Sequence, residues 1–281
     1  MEAARVGPRS GAARLDRAQL VVLGALLALA VVAWLVTNER MGGMESMPGM
    51  GLGTIGFFVT VWVVMMVAMM FPAVAPTVLT YDRLREGHRA RGEGGMAEGS
   101  ALFVAGYLVL WAMAGLAAYA LYEVVRAIDP AFLAWDEAGR YVAGGVIVAA
   151  AAYQVTALKR ACLARCRTPM IVLAERWRDG RAGALGLGIR YGTWCLGCCC
   201  ALMAALFALG VMSLGWMALI TIFIVAERLL PWPTAARGAV ALSLVALGLG
   251  VAFFPGDVPG FAEPAGGGMH GGDRDSMQMM P

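Results

Sequence analysis

Residues 191–203 read Tyr-Gly-Thr-Trp-Cys-Leu-Gly-Cys-Cys-Cys-Ala-Leu-Met and lie inside an apolar window that runs from 188 to 212. This window is longer than the roughly 20 apolar residues that cross a hydrocarbon core as a helix. Four of the six cysteines of the chain fall within it. The stretch therefore predicts a transmembrane helix that carries soft sulfur ligands.

The composition extends this interpretation to the whole chain, since 60% of the residues are hydrophobic, 15% are charged and the mean hydropathy is +0.71. Such values exceed what a soluble domain of this size buries. The apolar windows lie at 19–36, 54–78, 100–122, 140–158, 188–212, 215–230 and 238–254. They predict an all-α, polytopic transmembrane bundle of about seven helices over residues 19–254. The sixth window is short, so a re-entrant or strongly tilted segment is an alternative there.

Lys and Arg are distributed unequally between the two sides of this predicted bundle. If the N-terminus faces the cytoplasm, 18 of the 22 basic residues fall on the cytoplasmic side, as the positive-inside rule requires. Residues 1–18 then form a cytoplasmic N-terminal segment and residues 159–183 a basic cytoplasmic loop. The loop 41–51, the tail 255–281 and the C-terminus lie outside. The net charge of +3 does not indicate a nucleic-acid partner.

Both segments that this orientation places outside are rich in methionine. Residues 41–50 read Met-Gly-Gly-Met-Glu-Ser-Met-Pro-Gly-Met, and the tail from Met269 onward contains four methionines and His270. Thioethers on a flexible chain suit the soft ion Cu(I) in an oxidising compartment, where thiols are lost. The alternative is a pair of low-complexity linkers in which methionine has no role.

The second predicted helix carries a methionine stripe made of two i, i+4 pairs on adjacent parts of one face. Its members are Met65, Met66, Met69 and Met70. Pro72 and Pro76 follow and predict a kink, because proline breaks the backbone hydrogen-bond ladder. At a rise of about 1.5 Å per residue, the stripe lies roughly 16–24 Å below the outer face of the membrane. Packing of sulfur in an apolar core is the alternative interpretation.

The cysteine-bearing helix presents its sulfur atoms at a similar depth, roughly 8–15 Å above the inner face. Its i, i+3, i+4 spacing places four side chains on one face: Cys195, Cys198, Cys199 and Met203. Cys200 points away, and Gly192 and Gly197 allow a neighbouring helix to approach closely. We therefore predict that the methionine stripe and these cysteines share a metal site, with burial of thiols as small apolar groups as the alternative.

Three further residues are candidate metal ligands. Glu227 is a carboxylate deep in the sixth window, where a charge is costly and indicates a functional role; pairing with Arg228 or Arg190 is the alternative. Cys162 and Cys166 lie one turn apart on a short basic helix, and basic neighbours favour reactive thiols. We expect this cytoplasmic pair to receive a metal ion or to act as a redox pair.

Taken together, these motifs resemble the bacterial DUF2182 family of predicted metal-binding integral membrane proteins. The resemblance covers about residues 55–235 and rests on the stretches 66–76, 159–169 and 192–203. It implies a multi-pass protein of the bacterial inner membrane, with the N-terminus in and the C-terminus out, that binds metal through the matching Cys, Met and Glu positions. Cys200 and Arg228 depart from the family pattern and are not expected to be ligands.

The sequence thus favours an inner-membrane protein that captures, transfers or transports Cu(I), with the lipid bilayer and a metallochaperone or copper protein as partners. No nucleotide-binding motif is present, so we expect any transport to be passive or coupled to another gradient, and binding or delivery of the ion rather than catalysis is the expected role. The alternatives are a membrane thiol–disulfide oxidoreductase using Cys195 and Cys198, and a scaffold whose sulfur only packs. Haem and zinc are disfavoured, because neither His88 nor His270 lies in a predicted helix.

Overall fold

The regular structure of this protein is helical throughout the ranges that a computed structural model describes, which are 17–42, 54–92, 99–128, 138–209 and 213–254. In chain order the α-helices are α1 (Arg17–Gly42), α2 (Ile55–Ala90), α3 (Gly99–Ile128), α4 (Arg140–Gln154), α5 (Ala157–Arg167), α6 (Pro169–Ala174), α7 (Gly180–Leu209), α8 (Leu214–Leu229) and α9 (Pro233–Phe253). This confirms the predicted all-α bundle. Each predicted apolar window coincides with one helix, while α5 and α6 occupy much of the predicted basic loop.

Not every helix of the predicted bundle is long and apolar enough by itself to cross a membrane. Within the described ranges, five helices are long and apolar enough to cross a membrane: α1, α2, α3, α7 and α9. A sixth candidate is the pair α4 and α5, which is bent by 65°. Helix α8 has 16 residues, fewer than the roughly 20 that a crossing needs. The structure therefore supports five or six spans by length and composition, and α8 is the short segment that the sequence already marks as irregular.

The first and last described residues nevertheless lie at opposite ends of the bundle. Gln19 at the start of α1 accepts a hydrogen bond from Arg83 near the end of α2 (3.3 Å). Helix α9 begins next to α5, where Arg167 donates to the carbonyl of Leu230 (2.6 Å). It ends with Phe253 against Tyr141 at the start of α4 (ring centroids 6.2 Å apart). We call the end formed by α5, α6 and the last turns of α2 the basic end.

Large apolar side chains cover much of the outer surface of the bundle. Val21 on α1, Leu121 on α3 and Leu242 on α9 are each at least 65% exposed. A soluble protein rarely exposes so much contiguous apolar surface. These faces therefore suit contact with lipid, which agrees with the predicted membrane environment.

Helix α2 continues through both of its prolines and ends at Ala90, well beyond the window that the sequence predicts. Pro72 cannot donate to the carbonyl of Ala68, and Trp34 of α1 donates its indole N–H to that oxygen instead (3.1 Å). A neighbouring helix thus satisfies the freed group, as proline in a membrane helix requires. The longer helix also makes His88 helical, contrary to prediction, and its ring stacks on Trp177 (4.5 Å).

Helices α3 and α7 pack in close backbone contact through glycine. A Cβ atom at Gly188 would lie 2.0 Å from the carbonyl oxygen of Phe103, and one at Gly106 would lie 2.2 Å from that of Leu185. Only glycine fits at such a distance, and small residues are the usual means of close helix packing in membranes. The approach fixes α7 against α3 on the side that also carries Tyr107, which faces the cysteines.

Candidate metal centre

Three cysteines of α7 converge in the interior of the bundle. Cys195, Cys198 and Cys199 are at most 2% exposed, and their Sγ atoms all lie within 4.8 Å of one another. The i, i+3, i+4 spacing produces this arrangement because these positions share one helical face. Cys200 is exposed, as the same spacing predicts. All these cysteines are free thiols.

Cys166 of α5 joins this group, with its Sγ 3.7 Å from the Sγ of Cys198. The sequence places Cys166 and Cys162 in a separate cytoplasmic pair, whereas the structure buries both against α7. The reason is that α5 is amphipathic: Lys159, Cys162, Leu163 and Cys166 form its buried stripe. The many basic residues of this segment predict a surface helix, and they give no indication of the buried stripe. We call Cys166, Cys195, Cys198 and Cys199 the thiol cluster.

Gly197 explains how α5 comes so close to α7. A Cβ atom at this position would lie 2.8 Å from the Sγ of Cys162, and one at Gly192 would lie 2.7 Å from Leu110 of α3. Both glycines therefore permit the close approach of a neighbouring helix that the sequence predicts. Tyr153 at the end of α4 donates to the carbonyl of Gly197 (2.6 Å), and this bond connects the α4–α5 corner to the same turn of α7.

Arg228 places its guanidinium group inside the thiol cluster. Its Nη2 atom donates to the Sγ of Cys195 at 2.8 Å, and it lies 3.4 Å from the Sγ of Cys198 and 3.5 Å from that of Cys166. The residue is buried. This position contradicts the expectation from the sequence, in which Arg228 is a departure from a family pattern and has no role at the site. The available signal was an arginine at the end of an apolar helix, since a buried guanidinium requires acceptors around it.

Glu227, the neighbouring residue, has a different partner from those that the sequence offers. Its Oε2 atom pairs with Nζ of Lys159 at 2.7 Å, with both side chains buried, so the ion pair involves neither Arg228 nor Arg190. Lys159 also donates to the carbonyl of Cys198. Among the described residues, no group donates a hydrogen bond to the Oε1 atom of Glu227. Glu227 thus lies beside the thiol cluster, separated from it by the ammonium group of Lys159.

Tyrosine hydroxyls complete the polar surroundings of the thiol cluster. The hydroxyl of Tyr107 lies 3.1 Å from the Sγ of Cys195. Tyr191 accepts from Thr77 of α2 (2.8 Å) and donates to the carbonyl of Cys166 (3.3 Å). Both rings are buried. The tyrosines hold α2, α3, α5 and α7 together around the sulfur atoms and help to exclude water from them.

The methionine stripe of α2 is buried in the same core. Met65, Met66, Met69 and Met70 are fully or almost fully buried, as is Met203. Two contacts set the antiparallel register of α2 and α7: Trp62 stacks on Phe207 (5.6 Å) and Thr77 bonds Tyr191 (2.8 Å). By this register Met69 and Met70 lie level with Cys198 and Cys199, and Met65 and Met66 lie level with Met203.

The remaining methionines of interest lie outside the described residues. These are Met212, the outer loop from 43 to 51 and the tail 255–281. The side chain of Met41 is likewise not described. The thiol cluster and the buried stripe are therefore the parts of the predicted sulfur route that the structure describes.

The chemistry of the thiol cluster suits a soft metal ion. Its donors are sulfur atoms, which select ions such as Cu(I) over hard cations, and the surroundings are dry and preformed. Residues 59–251 match a family model described as PpoB2, copper chaperone. No curated protein and no solved structure gave a match. The family match supports the copper-related character that the sequence predicts and leaves the DUF2182 name untested.

Proposed function

Because this chain belongs to the PpoB2 family of copper chaperones, we propose that it binds Cu(I) within the membrane and passes it to a copper protein. The observation that supports this most is the convergence of Cys195, Cys198 and Cys199 in one buried group. Thiolates at such spacing form low-coordinate sites for Cu(I). The ion is the cargo of the protein in this proposal.

The methionine stripe of α2 adds a second set of soft donors in the same buried core. Met69 and Met70 lie level with the cysteines by helix register, and we propose that an ion that leaves the thiolates next binds one of these thioethers. Cys166 extends the sulfur atoms toward the basic end. We propose that copper moves along this series of sulfur atoms, and that the outer methionines of 41–51 and 255–281 collect it. In this proposal copper moves from the outside toward the cytoplasm, because we place the N-terminus in and the C-terminus out, in a bacterial inner membrane.

Two alternatives from the sequence are less favoured by the geometry. A thiol–disulfide oxidoreductase must present a reactive sulfur to a partner dithiol, yet Cys195 and Cys198 are both buried. A scaffold with purely apolar packing does not account for a guanidinium among thiols, because a buried charge is costly unless it is compensated.

Metal binding by the full chain in detergent tests the proposal. Under anaerobic, reducing conditions we expect one or more equivalents of Cu(I) to bind tightly, measured against a competing chromophoric chelator. Cys198→Ser should abolish tight binding, since a hard hydroxyl replaces a soft thiolate of similar size. Cys200→Ser is the matched control, because Cys200 is the adjacent but exposed thiol. Wild-type affinity in the Cys198→Ser variant would contradict the proposed site.

A further inference from the structure

The guanidinium of Arg228 contacts the sulfur atoms of the thiol cluster directly, whereas the ammonium group of Lys159 bonds the backbone carbonyl of Cys198. It lies within 3.5 Å of three sulfur atoms through one nitrogen, Nη2. It stays charged at any pH that the protein survives. The nearest carboxylate in sequence, Glu227, is committed to Lys159. Positive charge is therefore permanently present where copper is proposed to bind.

Neighbouring contacts hold this charge in place. The Nη1 atom of Arg228 lies 3.5 Å from the hydroxyl of Tyr191. Arg167 of α5 donates to the carbonyls of Glu227 (2.7 Å) and Leu230 (2.6 Å) at the end of α8. The backbone on both sides of Arg228 is thus attached to α5, which also carries Cys166. The guanidinium is preorganised rather than free to turn away.

The charge of the metal complex decides what such an arginine does. When two thiols bind Cu(I), each releases its proton to solvent, and the resulting bis-thiolate complex carries one negative charge. The guanidinium brings the total to zero. A divalent ion on the same two thiolates would leave a net positive charge instead, and uncompensated charge is expensive in a dry interior.

We propose that Arg228 is a specificity-determining counter-ion of this site, which stabilises a two-thiolate Cu(I) complex and disfavours divalent ions. This inference rests on the proposed copper function. Arg228 touches the sulfur ligands and takes no part as a ligand itself. The resemblance to a family did not predict this role, because Arg228 departs from the family pattern.

Affinities of four proteins test the proposal: wild type, Arg228→Met, Arg228→Lys and the control Arg237→Met. Arg237 lies on α9 and donates to the carbonyl of Pro233 (3.3 Å), and its described hydrogen bonds do not involve the thiol cluster. We expect Arg228→Met to lower Cu(I) affinity about 10- to 100-fold, as removal of an outer partner of a metal ligand typically does. Its Zn(II) affinity should be unchanged or higher. Arg228→Lys should recover most of the Cu(I) loss, and Arg237→Met should match wild type.

Two other results would contradict the counter-ion role of Arg228. Tighter Cu(I) binding by Arg228→Met would mean that the guanidinium competes with the ion, and equal losses for Cu(I) and Zn(II) would mean a structural role. X-ray absorption of the copper-loaded proteins adds a further test: two thiolate neighbours are expected, and a third sulfur neighbour that persists in the Met69→Leu variant, which lacks that thioether, would overturn the charge balance. If the wild type binds no copper, the proposed function fails; if it binds and Arg228→Met is unchanged, only this inference fails.

Discussion

Met69 is the single residue that best separates a metal route from packing, because methionine fills cores well without any metal. It is fully buried on α2 and level with the cysteines. We expect Met69→Leu to weaken Cu(I) binding while leaving the fold intact, since a volume-conserving swap in a core usually costs under ~1.5 kcal/mol. Chelator competition and the melting temperature measure the two effects.

Met113→Leu is the matched control for this change. Met113 is 62% exposed on α3, so its thioether points away from the core. Loss of copper affinity only in the Met69 variant would support the stripe as a ligand set. Wild-type affinity in both variants would leave the stripe as packing and restrict the proposed site to the thiol cluster.

At this scale the sequence predicts the helical face of the cysteines well, because three residues at i, i+3, i+4 must share a side. It predicts Cys200 on the other side for the same reason. It does not predict that Cys166 reaches Cys198, since that contact depends on a 65° bend between α4 and α5 and on tertiary packing. Nor does it predict Arg228, because the position of a charge among thiols depends on three helices at once.

The element whose position matters most for the site is α5, which supplies Cys166 and Lys159. Gly197 controls its distance from α7, since an added Cβ would lie 2.8 Å from the Sγ of Cys162. We expect Gly197→Ala to push α5 outward, separate Cys166 from Cys198 and reduce both Cu(I) affinity and the melting temperature. Equilibrium Cu(I) titration and thermal unfolding of the purified protein measure this.

Gly186→Ala on the same helix serves as the control, because a Cβ there meets nothing within 4 Å. It should be neutral or slightly stabilising, as alanine is favoured over glycine in helices by about 0.8–1.0 kcal/mol. An unchanged site in Gly197→Ala would show that α5 tolerates displacement and that Cys166 contributes little. Similar losses in both variants would point to a general sensitivity of α7 rather than to the α5 contact.

Helix existence is the part of the fold that hydropathy predicts, since every predicted window contains one helix. Helix ends are less predictable. Helix α2 extends to Ala90 because its last turns pack on Trp177 through Tyr81 (5.4 Å) and His88 (4.5 Å), which no window of hydropathy contains. The buried ion pair of Lys159 and Glu227 joins α5 to α8. It could not be predicted from the sequence, because charged residues are normally expected on the surface.

For the molecule as a whole, the unequal ends of the bundle are the main feature. The basic end holds α5, α6 and the last turns of α2, and the chain both begins its described part and places the thiol cluster toward that end. Helix α9 finishes at the other end, where Phe253 lies against Tyr141. Although α8 is short, its last turn lies at the level of the thiol cluster, because Arg228 contacts Cys195 there.

The unequal ends of the bundle allow a prediction of its orientation in the membrane. The positive-inside rule predicts that the basic end faces the cytoplasm, because 18 of the 22 basic residues would then lie on the cytoplasmic side. Alkaline phosphatase fused after Pro281 should then be active, because the enzyme folds only outside, and a fusion after Gly92 should be inactive. Phosphatase activity and fusion-protein abundance, measured together, distinguish orientation from poor expression. An abundant but inactive fusion after Pro281 would place the methionine-rich tail in the cytoplasm, and the two methionine-rich segments could then not draw on one external pool of copper.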